Sequence, residues 1–463
     1  MASNMKFDTS RQLDVLRARA RRGKDEVVRH ARKVQDHDER CVTVRTHRND
    51  SVANRCDDVT VRHQYLVLAT ASLALVACGA AAEPSSEAAI TSDVSTTTTP
   101  ETTTITTTAT TTSTTSTTTT IAVPTDPIAL TTLSDLAQRG PHAVGVTTLT
   151  DATGLTVEVW YPTSGGATDT DAYDIRDFVP ELVRNLLTGD VDAVFTYTAS
   201  RDGDPDVAAG TPLVIFSHGY SGMRLQSATL TAHLASWGMV VAAPDHPSRD
   251  LMNTLGGTAS GTPADSVNEL LRTRELVMTD DRFSDVNATS WTAVGHSAGG
   301  ATVARLADEG IADGLSGIVS LAAGVSDDVG GLSVPAMFIA GSRDAVVPPT
   351  ASRAGFELAP TGSALWVIDG AGHNAFDDFC RFGDGAGIIG VAEASGLGPL
   401  LDAQPQLRAL GTDGCLEPAA PVTDSDPAIH AGATAYLAGL QGRRTFDPEE
   451  TPPGPLTVEV ATN

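Results

Sequence analysis

The sequence predicts an α/β fold, a mostly parallel central sheet with helices on both faces. Three observations carry that prediction. Short unbroken apolar runs recur from about residue 130 onward and read as strands buried on both faces. Stretches of helical spacing separate them, as the crossovers of a parallel sheet require. Reactive side chains follow directly after several of the runs, where such sheets place their chemistry.

The elements follow in chain order. Residues 156–161 alternate apolar and polar and read as a strand stopped by Pro162. Residues 163–210 break the rhythm around an apolar segment at 178–183. A surface insertion is the expected reading, with a lid or a pocket wall as alternatives. Residues 213–216 and 239–243 are unbroken apolar runs, and 227–237 between them has helical spacing with Leu230 and Leu234 on one face. Strands are predicted again at 291–294, 318–321, 336–340 and 365–368.

The chain outside this region is of a different kind. Residues 1–63 carry 15 basic and 10 acidic side chains; the remaining residues carry 16 and 47, and no lysine follows Lys33. The overall charge of −26 argues against a nucleic-acid partner. An acidic, arginine-only surface suits an exported soluble enzyme, and genomic bias explains it equally well. The apolar run at 65–77 is short for a membrane span and ends in Leu75-Val76-Ala77-Cys78. It resembles the lipobox of bacterial lipoproteins, which implies lipidation of Cys78, a membrane anchor and a cell-envelope or secreted location. An ordinary signal peptide is the alternative. The polar residues 1–60 that precede it are expected to be a non-native or disordered extension, with translation starting near Val61, or else a cytoplasmic tail. Residues 92–120 are almost all threonine and serine and bury nothing, which suits a disordered spacer. The expected organisation is an extension (1–60), a signal peptide (61–78), a linker (79–128), a catalytic domain (129–445) and a C-terminal tail (446–463). Cys380 and Cys415 are the only cysteines of the catalytic part, and in an exported chain they are expected to pair.

The chemistry concentrates at Gly295-His296-Ser297-Ala298-Gly299, a G-x-S-x-G run between a predicted strand and a run of small residues opening a helix. A serine hydroxyl is a poor nucleophile unless a sharp turn exposes it and a base takes its proton. His373, in the loop after the 365–368 strand, is the expected base. Asp344, after the 336–340 strand, is the expected acid that orients it, which gives the order Ser, Asp, His. Asp369, Asp327 and Asp328 are rival acids. Asp369 lies only four residues before His373 and has little room to reach round. His218, His233 and His246 precede the serine, His296 sits inside the turn, and His430 lies near a terminal helix without a glycine loop. Two backbone N–H groups must meet the developing negative charge. Ala298, after the nucleophile, and Tyr220, in the loop Ser217-His218-Gly219-Tyr220-Ser221-Gly222, are the expected donors.

That loop, together with Leu234-Ala235-Ser236-Trp237-Gly238 and Ala243-Pro244-Asp245-His246, resembles the α/β-hydrolase superfamily. The similarity is greatest to platelet-activating-factor acetylhydrolase-like and dienelactone-hydrolase-like esterases, and the loop also resembles bacterial cutinases and polyester hydrolases. It covers about 138–375 and implies the α/β-hydrolase fold and an ester hydrolase with neither cofactor nor metal. Ser297 stands where dienelactone hydrolases carry cysteine, which puts that narrower activity in doubt. Residues 376–430 lie outside the resemblance. The expected function is an extracytoplasmic serine esterase acting on small-molecule or lipid esters, as a monomer. The alternatives are a polyester hydrolase or other acyl-transfer enzyme on the same residues, or a non-catalytic surface binding protein.

Overall fold

The computed structural model describes Ile128 and residues 131–164, 169–187, 191–308 and 311–463. The predicted extension, the signal peptide with Cys78, and the linker up to residue 127 lie outside the described residues.

Ten strands form one sheet. They are β1 (Ala143–Thr150), β2 (Thr156–Thr163), β5 (Ser200–Arg201), β6 (Thr211–Ser217), β7 (Val240–Pro244), β8 (Val286–His296), β9 (Leu315–Leu321), β10 (Ala336–Gly341), β11 (Ala364–Ile368) and β12 (Val458–Thr462). Strands β3 (Thr170–Asp174) and β4 (Val194–Thr198) pair separately as an antiparallel ribbon. The sheet order is β12-β11-β10-β9-β8-β6-β7-β2-β1-β5. From β11 to β7 every neighbouring pair is parallel, while β12 and β2 add antiparallel strands at either side.

Strand alternation splits the core into two layers. Val214, Phe216, Val241, Val294, Val319, Ile339 and Trp366 face one side. Leu213, Ile215, Val240, Ala293, Ile318, Phe338 and Val367 face the other. Helices α1 (Ala228–Ser236) and α7 (Val422–Leu440) cover the first face with Leu230, Leu234, Ile429 and Leu437. Helices α2 (Pro263–Thr279) and α3 (Ala298–Leu306) cover the second with Leu270, Val277 and Val303. Together with α4 (Pro349–Glu357) they make the α/β-hydrolase fold.

Two predicted boundaries are corrected. Residues 446–463 are not a tail beyond the domain, because β12 pairs with the whole length of β11. The alternation Val458-Glu459-Val460 gives it one face toward the sheet's helix layer. Ile128, assigned to the linker, is fully buried in the first core layer, since an isoleucine side chain is driven out of water wherever the core offers room.

The insertion containing β3 and β4 is a compact aromatic unit. Tyr173 meets Phe178, Phe195, Tyr197 and Phe382 with ring centroids 5.6–6.4 Å apart. Phe382 belongs to a second insertion, 376–421, which holds α5 (Gly387–Ala394) and α6 (Pro405–Thr412).

Candidate active site

Strand β8 ends at His296 and α3 begins at Ala298, so Ser297 alone makes the turn, at φ 54° and ψ −121°. This left-handed conformation is costly for a residue with a Cβ and persists only where its surroundings impose it. The Ser297 N–H bonds Leu321 O at 2.9 Å, which ties the turn to the next strand. Gly299 is required by space: a Cβ there would sit 1.9 Å from Ser217 O.

The loops after β10 and β11 bring the other two residues to the serine. Ser297 Oγ lies 2.9 Å from His373 Nε2, and His373 Nδ1 lies 2.8 Å from Asp344 Oδ2. Asp344 Oδ1 accepts the N–H groups of Val346 and Val347 at 2.9 and 2.7 Å, which fixes the other carboxylate oxygen toward the ring. With its proton on Nδ1, His373 presents a lone pair to the serine hydroxyl. All three residues are buried, and Ser297 keeps 8% of its surface exposed, toward a cleft.

Apart from the exposed Asp327, the rival residues are engaged elsewhere. Asp369 accepts from the Ser342 hydroxyl, and Asp328 pairs with Arg305. His296 donates from Nε2 to His373 O at 3.1 Å, and burial holds its ring neutral. The buried His233 stacks on the half-buried His430, and both are pushed down from the ordinary histidine range by loss of hydration. His218 donates from Nδ1 to Gly219 O and accepts the His246 N–H on Nε2; burial and the nearby Arg249 push it down to about 3.

Tyr220 and Ala298 both flank Ser297. Ala298 opens α3, so its N–H has no acceptor within the helix. Neither its N–H nor that of Tyr220 has an acceptor among the described residues. The Gly219 backbone comes so close that a Cβ there would lie 3.3 Å from Ser297 Cβ.

Sequence reasoning missed the residues that hold this loop. Gln226 Oε1 accepts the Gly219 N–H at 2.9 Å, while its Nε2 donates to Asp377 Oδ2 at 2.7 Å. Burial pushes the Asp377 carboxyl up to about 7. The second insertion was missed as well. Phe379, Ile388, Ile389, Leu407 and Leu410 wall the cleft together with Tyr220 and Leu251. None of the described residues of 163–210 lines it. Cys380 and Cys415 are disulfide-bonded across this insertion. Among the described residues no cluster of three histidine, cysteine or acidic side chains is placed to hold a metal.

Fold and site define an α/β hydrolase. Comparison with known proteins agrees. A model of the alpha/beta hydrolase family matches residues 277–394. A model of platelet-activating factor acetylhydrolase, isoform II, matches 135–279. No curated protein sequence matches the chain. Among solved structures, a ferulic acid esterase from Streptomyces cinnamoneus is 19% identical, with a TM-score of 0.50; the match covers 69% of this chain and 96% of that one. The chain has the α/β-hydrolase fold, and its family matches and this structural likeness place its resemblance with the esterase branch of that superfamily.

Proposed function

We propose that the chain is an extracytoplasmic serine esterase that cleaves carboxylic esters with apolar acyl groups. The observation that carries this reading is the continuous chain Asp344–His373–Ser297 ending on a cleft with apolar walls. Ser297 Oγ attacks the ester carbonyl as His373 Nε2 takes its proton. The Tyr220 and Ala298 N–H groups receive the oxyanion. His373 returns the proton to the leaving alkoxide, leaving an acyl-serine. A water molecule, deprotonated by the same ring, then attacks that ester and releases the acid and the free serine. Asp344 holds the proton-bearing Nδ1 and stabilises the imidazolium formed at each step.

The apolar wall of the second insertion supports an uncharged acyl chain, since a charged group there would lose its hydration without a partner. The test is hydrolysis of p-nitrophenyl esters from acetyl to octanoyl. Turnover by the wild type is expected, with a loss of about 10⁴-fold or more in kcat for Ser297→Ala. Undiminished turnover by that variant would refute the reading.

The lipobox-like segment and the threonine-rich spacer support anchoring through Cys78 at the outer face of a membrane. Metabolic labelling with an alkyne fatty acid tests this: the wild type should be labelled and Cys78→Ser should not. Equal labelling of both would overturn it.

A further inference from the structure

Asp413 lies in the strap that follows α6, outside the region that resembles known esterases, yet it reaches both loops of the relay. Its Oδ1 accepts the His373 N–H at 2.7 Å. Its Oδ2 accepts the Ala345 N–H at 3.1 Å. Ala345 follows the acid Asp344, whose own Oδ1 already takes the next two N–H groups, those of Val346 and Val347. Three consecutive N–H groups of the acid loop thus end on two carboxylates, one of them shared with the base loop. Hydrogen bonds to an ionised acceptor are roughly twice as strong as neutral ones.

The strap itself is fixed. Asn374, next to the base, donates its N–H and its side-chain Nδ2 to Asp413 O, each at 2.9 Å, and Nδ2 also donates to Leu410 O at 2.7 Å. Two residues beyond Asp413, Cys415 is bonded covalently to Cys380. Gly414 presses so closely on the base loop that a Cβ there would lie 3.1 Å from His373 N.

We propose that Asp413 is a positioning residue: a carboxylate supplied by the insertion that sets the distance between the Asp344 and His373 loops and so holds the imidazole in line with Ser297. The proposal rests on the esterase reading for its kinetic effect but not for its geometric one. A displacement of about 1 Å at such a relay costs about 100-fold in rate.

The experiment compares wild type, Asp413→Asn and Asp413→Ala by three readouts. These are kcat per serine titrated with a fluorophosphonate, KM, and the far-downfield proton resonance of the His373 Nδ1–H···Asp344 bond. For Asp413→Ala, kcat per titrated serine should fall about 10- to 100-fold with KM within about twofold, and the resonance should broaden or vanish. Asp413→Asn keeps one acceptor and should lie between the two. A merely structural role would lower the number of titratable serines and the melting temperature, leaving kcat per site and the resonance intact; that result would overturn the proposal. Should Asp413→Ala not fold, Asp413→Asn with wild-type kcat and resonance would overturn it equally. Wild type that shows the resonance but turns over no ester refutes the esterase reading, and the resonance in the variants then decides the role of Asp413 alone.

Discussion

Two serine–histidine–carboxylate relays lie side by side in this fold. In one, Ser297, His373 and Asp344 are joined by contacts of 2.9 and 2.8 Å. In the other, Ser217 Oγ meets His246 Nε2 at 2.9 Å, and His246 Nδ1 meets Glu269 Oε2 at 2.6 Å. By distance alone they are the same device, and their surroundings make them different. Ser217 ends β6 in extended backbone with no solvent exposure, and Arg249 Nη2 donates to its Oγ at 2.8 Å. Burial, Arg249 and His218 all hold His246 well below the ordinary histidine range, so it is a poor proton acceptor. Ser297 instead stands on a strained turn, faces a cleft, and has beside it two N–H groups without an acceptor among the described residues. Contact distances alone do not distinguish the two relays. Access to a cleft, a strained turn and neighbouring N–H groups without an acceptor among the described residues do.

The buried relay has a different use. Arg249 also donates to His218 O, Ser266 Oγ and Thr302 Oγ1, so it joins the loop bearing Tyr220 to the helix that opens at Ala298. It braces the surroundings of the other serine from behind.

The sharpest contrast is kinetic. Ser297→Ala should abolish turnover, whereas Ser217→Ala should change kcat by less than about threefold, since its hydroxyl touches no reacting atom. Matching losses in the two variants would break the distinction.

Acid should act next most strongly, through the buried side. His218 and His430 are lowered to about 3, and His233, His246 and His296 are lowered well below 6.5. A base with a depressed folded pKa stabilises the fold above its unfolded value and loses that contribution as pH falls. Asp377 and Glu269, each raised to about 7, act in the opposite sense, losing stability as pH rises from about 4 to 7. The histidines, whose unfolded value lies near 6.5, carry stability down as pH drops from about 6.5 to 5, opposed by Asp377 and Glu269 and by Asp250, Asp378 and Asp426, which burial also raises, at about 1.4 kcal/mol per pH unit for each net proton. Urea unfolding at pH 7.5 and pH 5 checks this; equal midpoints would contradict it.

The smallest effect concerns the cleft wall. Leu407→Trp should lower kcat/KM for octanoyl esters by about tenfold while leaving acetyl esters within about threefold, as filling an apolar pocket discriminates by chain length. A uniform loss across the series would place the acyl chain elsewhere.

What was legible in the sequence was local. The turn at Ser297, the glycine loop at Gly219, and Asp344 and His373 each follow an apolar run directly, and strand order brings such positions together. Gln226, Asp377 and Asp413 carried no local signal. Gln226 and Asp377 are 151 residues apart, and Asp413 contacts a backbone N–H 40 residues away. The short helices of 376–421 show too little periodicity to announce a cleft wall. Strand β12 was readable, because Val458-Glu459-Val460 alternates as β2 does, but its place beside β11 is a tertiary fact. The second relay was obscured by its own order, Ser217, His246, Glu269, which puts histidine before the acid.

The most direct measurement is mass-spectrometric mapping of a fluorophosphonate adduct on the folded protein. A single adduct is expected at Ser297, formed with stoichiometry near one and lost in Ser297→Ala. An adduct at Ser217, or none at Ser297 in protein that hydrolyses esters, would contradict it.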